Sequence, residues 1–263
     1  MRDDLAMMLR EQLEYRELLL SITRRDLILR YKHSVMGFGW AVFMPLLHML
    51  IFSIIFTRVA PLDTGVPYPI YAYAGLLPWS WFATSLRFSA TSLTDNSNLV
   101  TKVYFPREIF PFSAVVVGFI DFLVAATLLA ALMLYYGIGI TWTVLFLPVV
   151  ILVQFAFTAG IALLVAMANL FFRDVKYVFE VLLTVWMFAT SVVYPVERIG
   201  GRLGTLLAFN PMTPIIDGYR AVLLRGELPP ALPFAAASLL SLAILAVCWL
   251  SFHRAEFRFA EDV

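Results

Sequence analysis

Six stretches of this chain, 38–57, 70–93, 109–136, 142–168, 178–194 and 232–252, are each apolar over nearly their full length. Each is close to the roughly 20 residues that a helix needs to cross a bilayer core. Composition points the same way: 62% of the 263 residues are apolar and only 14% charged, more than a soluble core of this size needs. The predicted fold class is an all-α membrane protein with six transmembrane helices. An even number of crossings returns the chain to its starting side, and the loop charges say which side that is. The cluster Arg24, Arg25, Arg30 and Lys32, the loop residues Lys102 and Arg107, the turn Arg173 and Lys176, and Arg254 and Arg258 after the last span all fall together. The positive-inside bias makes that side the cytoplasm. The turns 59–69 and 137–141 contain no lysine or arginine. Both termini are expected inside, since the opening residues lack the short apolar core of a cleavable signal.

Much chemistry is excluded. With 19 basic residues against 18 acidic, nothing gives the chain a general attraction to nucleic acid. One cysteine, Cys248, permits neither an internal disulfide nor a cysteine metal cluster. There is no Gly-rich Lys-Ser/Thr phosphate loop, His-Glu-x-x-His or Gly-x-Ser-x-Gly. The three histidines are scattered, so sequence neighbours assemble no metal site and no nucleophilic triad. If work is done here, its energy comes from elsewhere.

Three segments stand out. Around 24–35 the chain reads as an amphipathic helix, with Leu20, Leu27, Ile28, Tyr31 and Val35 on one side and Arg25, Asp26, Arg30, Lys32 and His33 on the others. It is expected to lie on a surface and to lead into the first span through Gly37 and Gly39. Its charges anchor that span, grip a partner, or both. The loop 95–108 has a cap candidate in Asp95 or Asn96, a stop in Pro106 and an apolar side of Val100, Val103 and Tyr104 suited to docking. The segment 195–230 is apolar over 206–224 yet contains Asn210, Pro211, Pro214, Asp217 and Arg220. It is expected to form two short helices, broken at the prolines, that dip into the outer leaflet and return. Asp217 and Arg220, three apart, can pair. Within the spans, Asp121 is the acid nearest mid-membrane; a structural role is favoured over a proton relay, since no chain of partners accompanies it.

Arg30-Tyr31-Lys32-His33 within 27–37, Tyr104-Phe105-Pro106-Arg107-Glu108 within 98–108, Phe172-Arg173-Asp174-Val175 and Asn210-Pro211-Met212-Thr213-Pro214 together resemble the type-2 ABC transporter permeases that export polysaccharides such as O antigen, capsule and teichoic acid. The resemblance implies a cytoplasmic segment 1–35, a membrane domain 36–253 and a short tail 254–263. It also implies a homodimer in the bacterial inner membrane, paired with two copies of an ATPase that carries the ATP and Mg, and no cofactor in this chain. The cargo would be a polymer linked to a polyprenyl diphosphate. Arg24, Arg25, Arg30, Tyr31, Lys32, Asn98, Lys102, Val103, Tyr104 and Phe105 would meet the ATPase, and Asn210, Pro211, Pro214, Asp217 and Arg220 would form an outer gate. Phe38, Trp40, Trp186 and Tyr194 are candidates to line the path, although each also suits an interfacial aromatic belt. Export of a small lipid or drug, and an enzyme acting on polyprenyl phosphates, are the other readings; the enzyme would need clustered acids at one membrane face.

Overall fold

The computed structural model describes residues 10–32, 34–102, 105–195, 207 and 209–256. Its elements are α1 Arg16–Tyr31, α2 Gly39–Ile54, α3 Tyr68–Ser92, α4 Ser97–Lys102, α5 Ile109–Tyr135, α6 Leu147–Phe171, α7 Val175–Phe188, α8 Met212–Arg220 and α9 Ala231–Ala255. Single π-helical turns extend α2 over Ile55–Val59 and α8 over Ala221–Arg225, and a 3₁₀ turn, Trp142–Phe146, leads into α6. Among the described residues, four helices are long and apolar enough to cross a membrane: Gly39–Val59, Ile109–Tyr135, Trp142–Phe171 and Ala231–Ala255.

The other two expected spans are helices of a different kind. α3 has 25 residues, but its tyrosines, tryptophans, serines and Arg87 dilute its apolar character. It is the central helix: nineteen of its residues are buried, against α2, α5, α6, α7 and α8. α7 has only 14 residues, about 21 Å of rise, and stops at Phe188 rather than continuing to 194. Its stop has a physical cause. The carbonyls of Ala189, Ser191 and Val192 are taken by the side chains of Asn210 and Arg220 and do not serve a helical ladder.

Close approach and polar brackets hold α3 to its neighbours. Trp81 Nε1 donates to Val115 O at 3.1 Å, Tyr73 Oη to Ala125 O at 2.9 Å and Gln154 Nε2 to Pro78 O at 2.7 Å. Each such bond is worth on the order of 0.6 kcal/mol between helices in lipid.

α1 spans Arg16–Tyr31 rather than the expected 24–35. It runs beside α5 in the same direction, with Ser113 Oγ donating to Asp26 at 3.0 Å and Arg30 ion-paired to Asp121 two turns further along α5. The polar side of α1 therefore packs on the bundle, because α5 offers polar partners. The apolar ridge, including Leu20, Ile28 and Val35, is exposed, as befits a flank expected to lie on a surface. Gly37, at φ +52°, takes the left-handed turn that redirects the chain into α2.

Ile22, Val100, Phe105, Ile109, Leu170 and Phe252 share a second, smaller core at the end of the bundle where α4 lies. Beside it, His253 Nδ1 is 3.1 Å from Glu108 Oε1, and the Arg107 backbone N–H donates to Glu256 Oε1 at 3.0 Å. Burial, reinforced by the Glu108 charge, pushes the Glu256 carboxyl up to about 7.

Candidate functional site

A cavity of about 720 Å³ opens between the end of α1 and helices α2, α3, α5 and α7. Tyr31, Trp40, Trp79, Trp81, Phe88 and Phe122 supply aromatic surface, and His48, Ser80, Thr84, Arg87, Asp121 and Thr184 supply polar groups. Rings beside hydroxyl, imidazole and carboxylate groups suit an amphipathic ligand: ring faces take C–H surfaces, and the polar groups fix orientation.

Asp121 organises the α1 wall of this cavity. Tyr31 Oη donates to its Oδ1 at 2.6 Å, Arg30 Nη1 bonds its Oδ2, and the Arg30 guanidinium lies 3.7 Å from the centre of the Phe88 ring. The Arg30 and Asp121 side chains are 14% and 15% exposed, so the pair is largely desolvated and removal of either partner strands a charge. Arg87 donates through Nε to Glu180 of α7 at 2.7 Å.

The residues assigned to ATPase contact divide into two groups. Arg24, Lys32 and Asn98 are exposed. Arg25 joins two elements, with Nη2 donating to Asn96 Oδ1 at 2.8 Å and to Asp26 Oδ1 at 2.7 Å; it ties α1 to the start of α4. Three assignments change. Arg30 and Tyr31 face Asp121 and the cavity, drawn inward by the buried carboxylate. Phe105 is buried edge-on against Phe110, with ring centres 5.6 Å apart. Val100, expected to help dock, is fully buried in the chain's own core. Lys102 closes α4, while Val103 and Tyr104 lie outside the described residues.

At the opposite end, Asn210 brackets α7 to α8. It accepts from Trp186 Nε1 at 3.0 Å and from the Met212 N–H at 3.1 Å, and donates to Ala189 O at 2.9 Å and Thr190 Oγ1 at 2.7 Å. Arg220, 1% exposed, sits 3.7 Å from the centre of the Tyr71 ring, pairs with Asp217 at 3.1 Å and donates to Val192 O at 2.6 Å. Gly75 makes room for it: a Cβ there would stand 2.3 Å from Arg220 Nη2 and from Val192 O. Leu207 is helical and the next described helix, α8, begins at Met212, with Asn210 and Pro211 between them. Pro211 precedes α8 and Pro214 sits in its first turn, where no intrahelical N–H is needed. The expected preceding helix, with Arg198 and Arg202, lies outside the described residues.

Of the candidate path aromatics, Trp40 lines the cavity, and Phe38 stacks on the cavity residue Tyr31 with centroids 4.4 Å apart. Trp186 does not; it packs against Phe82 and Phe157 and reaches Asn210. Nor does Tyr194, whose hydroxyl donates to Phe188 O. The sequence reading missed Trp79, Trp81 and Phe88 as cavity residues, and Asp26 and Ser113 as the clasp of α1. Their only signal was polar or bulky side chains recurring on helices too apolar to need them.

The family model described as ABC-2 type transporter matches residues 17–224. The chain is 37% identical over 259 residues to the O-antigen export system permease protein RfbA of Myxococcus xanthus, covering 97% of this chain and 99% of that protein. It is 31% identical over 251 residues to an O-antigen export system permease protein RfbA of Klebsiella pneumoniae, with 93% and 94% covered. To the polysialic acid transport protein KpsM of Escherichia coli it is 21% identical over 220 residues, covering 77% and 79%.

Proposed function

Because this chain belongs to the ABC-2 type transporter family, we propose that it is the membrane permease of an ABC exporter that carries lipid-linked O antigen across the bacterial inner membrane. It works as a homodimer with six crossings per copy and is powered by a separate ATPase. The observation that carries the cargo reading is the cavity, where Trp40, Trp79 and Tyr31 stand beside Asp121, Ser80 and Thr84. A sugar chain presents alternating C–H faces and hydroxyls, and such a wall holds it loosely enough to let it slide. The near full-length likeness to O-antigen permeases supports the same class.

In this reading α1 and α4 meet the ATPase through Arg24, Arg25, Lys32, Asn98 and Lys102. Their movement reaches the cavity through Arg30 and Tyr31, which sit at the end of α1 and on Asp121. The cluster around Asn210, Asp217 and Arg220 closes the outer end. Capsule, teichoic acid or a small lipid remain the competing cargoes.

The test is complementation of a permease-null strain that makes O antigen. Trp40→Ala and Thr84→Val together are expected to reduce surface O antigen at least tenfold at normal permease level. Wild-type export by this variant, or failure of the unaltered chain to export O antigen while it exports another polymer, would reassign the cavity or the cargo respectively.

A further inference from the structure

Glu108, His253 and Glu256 are 145 residues or more apart from first to second, yet each offers a ligand atom and all three atoms lie within 4.8 Å of one another. Glu108 stands immediately before α5 and His253 in the last turn of α9. His253 Nδ1 is 3.1 Å from Glu108 Oε1 and 3.6 Å from Glu256 Oε2. A divalent ion with bonds of about 2.0–2.2 Å holds neighbouring ligand atoms roughly 3–4 Å apart, so rotations of these side chains suffice to close the set.

A second observation makes this more than a charge cluster. The Glu108 side chain is 2% exposed, and its Oε2 is buried without a hydrogen-bond partner among the described residues. A buried carboxylate oxygen left this way is costly unless something positive reaches it. Arg107 does not fill that place: its guanidinium bonds the main-chain oxygen of Glu256, and its N–H holds Glu256 Oε1. Those contacts orient Glu256, as outer partners orient metal ligands.

We propose that Glu108, His253 and Glu256 form a binding site for a divalent transition ion of the zinc class, clasping the start of α5 to the end of α9. The imidazole selects zinc-like ions over magnesium and calcium, which favour all-oxygen sets. The clasp sits directly after the loop that carries α4, so an ion there stiffens the joint between that loop and the bundle. Zinc binding is independent of whether the protein exports a polymer, so this inference and the transport reading fail separately.

The measurement is zinc titration of the full-length permease in detergent, purified through a tag without histidine and stripped with a chelator. Bound zinc is counted by mass spectrometry. One zinc per chain is expected at micromolar free zinc, undisturbed by millimolar magnesium. Affinity should fall at least tenfold in His253→Asn and in Glu256→Gln, while the turn variant Asp174→Asn binds as wild type. Both ligand side chains are partly exposed, at 25% and 19%, so these variants remain usable if Glu108→Gln does not fold; the melting temperature of each is followed alongside. No bound zinc in the wild-type protein, or equal affinity in both folded ligand variants, overturns the site.

Discussion

Asp121 uses both carboxylate oxygens, one on Arg30 and one on Tyr31, and this changes what its substitution should do. Read from sequence it was an acid without a chain of partners, for which a structural role was favoured. With two donors from α1 on it, loss of the carboxylate strands the Arg30 guanidinium in a site only 14% exposed. Asp121→Ala is expected to destabilise the protein by on the order of 3 kcal/mol, read as a lower melting temperature in detergent, and to cut export. The double variant Arg30→Met with Asp121→Ala should regain part of that stability, because no buried charge is left unpaired. A single variant that melts as wild type would show that the pair is not holding α1. The sequence could not reveal this contact, because the partners are 91 residues apart and charge alone does not say which helix faces which.

At the scale of elements, hydrophobic periodicity located α2, α5, α6 and α9 well but placed α1 at 24–35, where the helix spans Arg16–Tyr31. Periodicity did not say what the polar side of α1 meets, which is α5, where Ser113 and Asp121 hold it. The link Arg25 to Asn96 makes α1 and α4 one platform. Arg25→Glu is expected to lower ATPase co-purification severalfold, whereas Asn96→Ala should leave the ATPase bound but reduce export. Equal complex yield in Arg25→Glu and wild type would remove Arg25 from the docking surface. For α8, Pro211 and Pro214 occupy its start, where proline is tolerated without breaking the helix that follows. Pro214→Ala should therefore change stability by less than about 1 kcal/mol. Asn210→Ala, which removes four hydrogen bonds at the end of α7, should cost on the order of 3 kcal/mol. Thermal melting of the two variants side by side distinguishes them.

Over the whole molecule, the class of protein was legible from length and composition, while the character of α3 and α7 was not. α3 is long but spends its apolar surface inside the bundle, and α7 is cut short by carbonyl acceptors that no local pattern announces. A two-sided labelling experiment tests the six-crossing arrangement. With Cys248 replaced by alanine, single cysteines at Asp63 and Gly139 should react with a membrane-impermeant maleimide in intact cells, and cysteines at Lys102 and Arg173 only after lysis. Labelling of residue 102 in intact cells would invert the topology. One feature of the cavity bears on energy transfer. In the proposed arrangement α1 supplies a docking surface through Arg25, while Arg30 and Tyr31 at its end form part of the cavity wall, so that motor and cargo would push on the same rod. Thermodynamic reciprocity then makes the traffic two-way: whatever free energy nucleotide binding exerts on cargo affinity, cargo occupancy exerts on nucleotide affinity. An exporter built like this does not need a separate sensor to tell its engine that the passage is loaded.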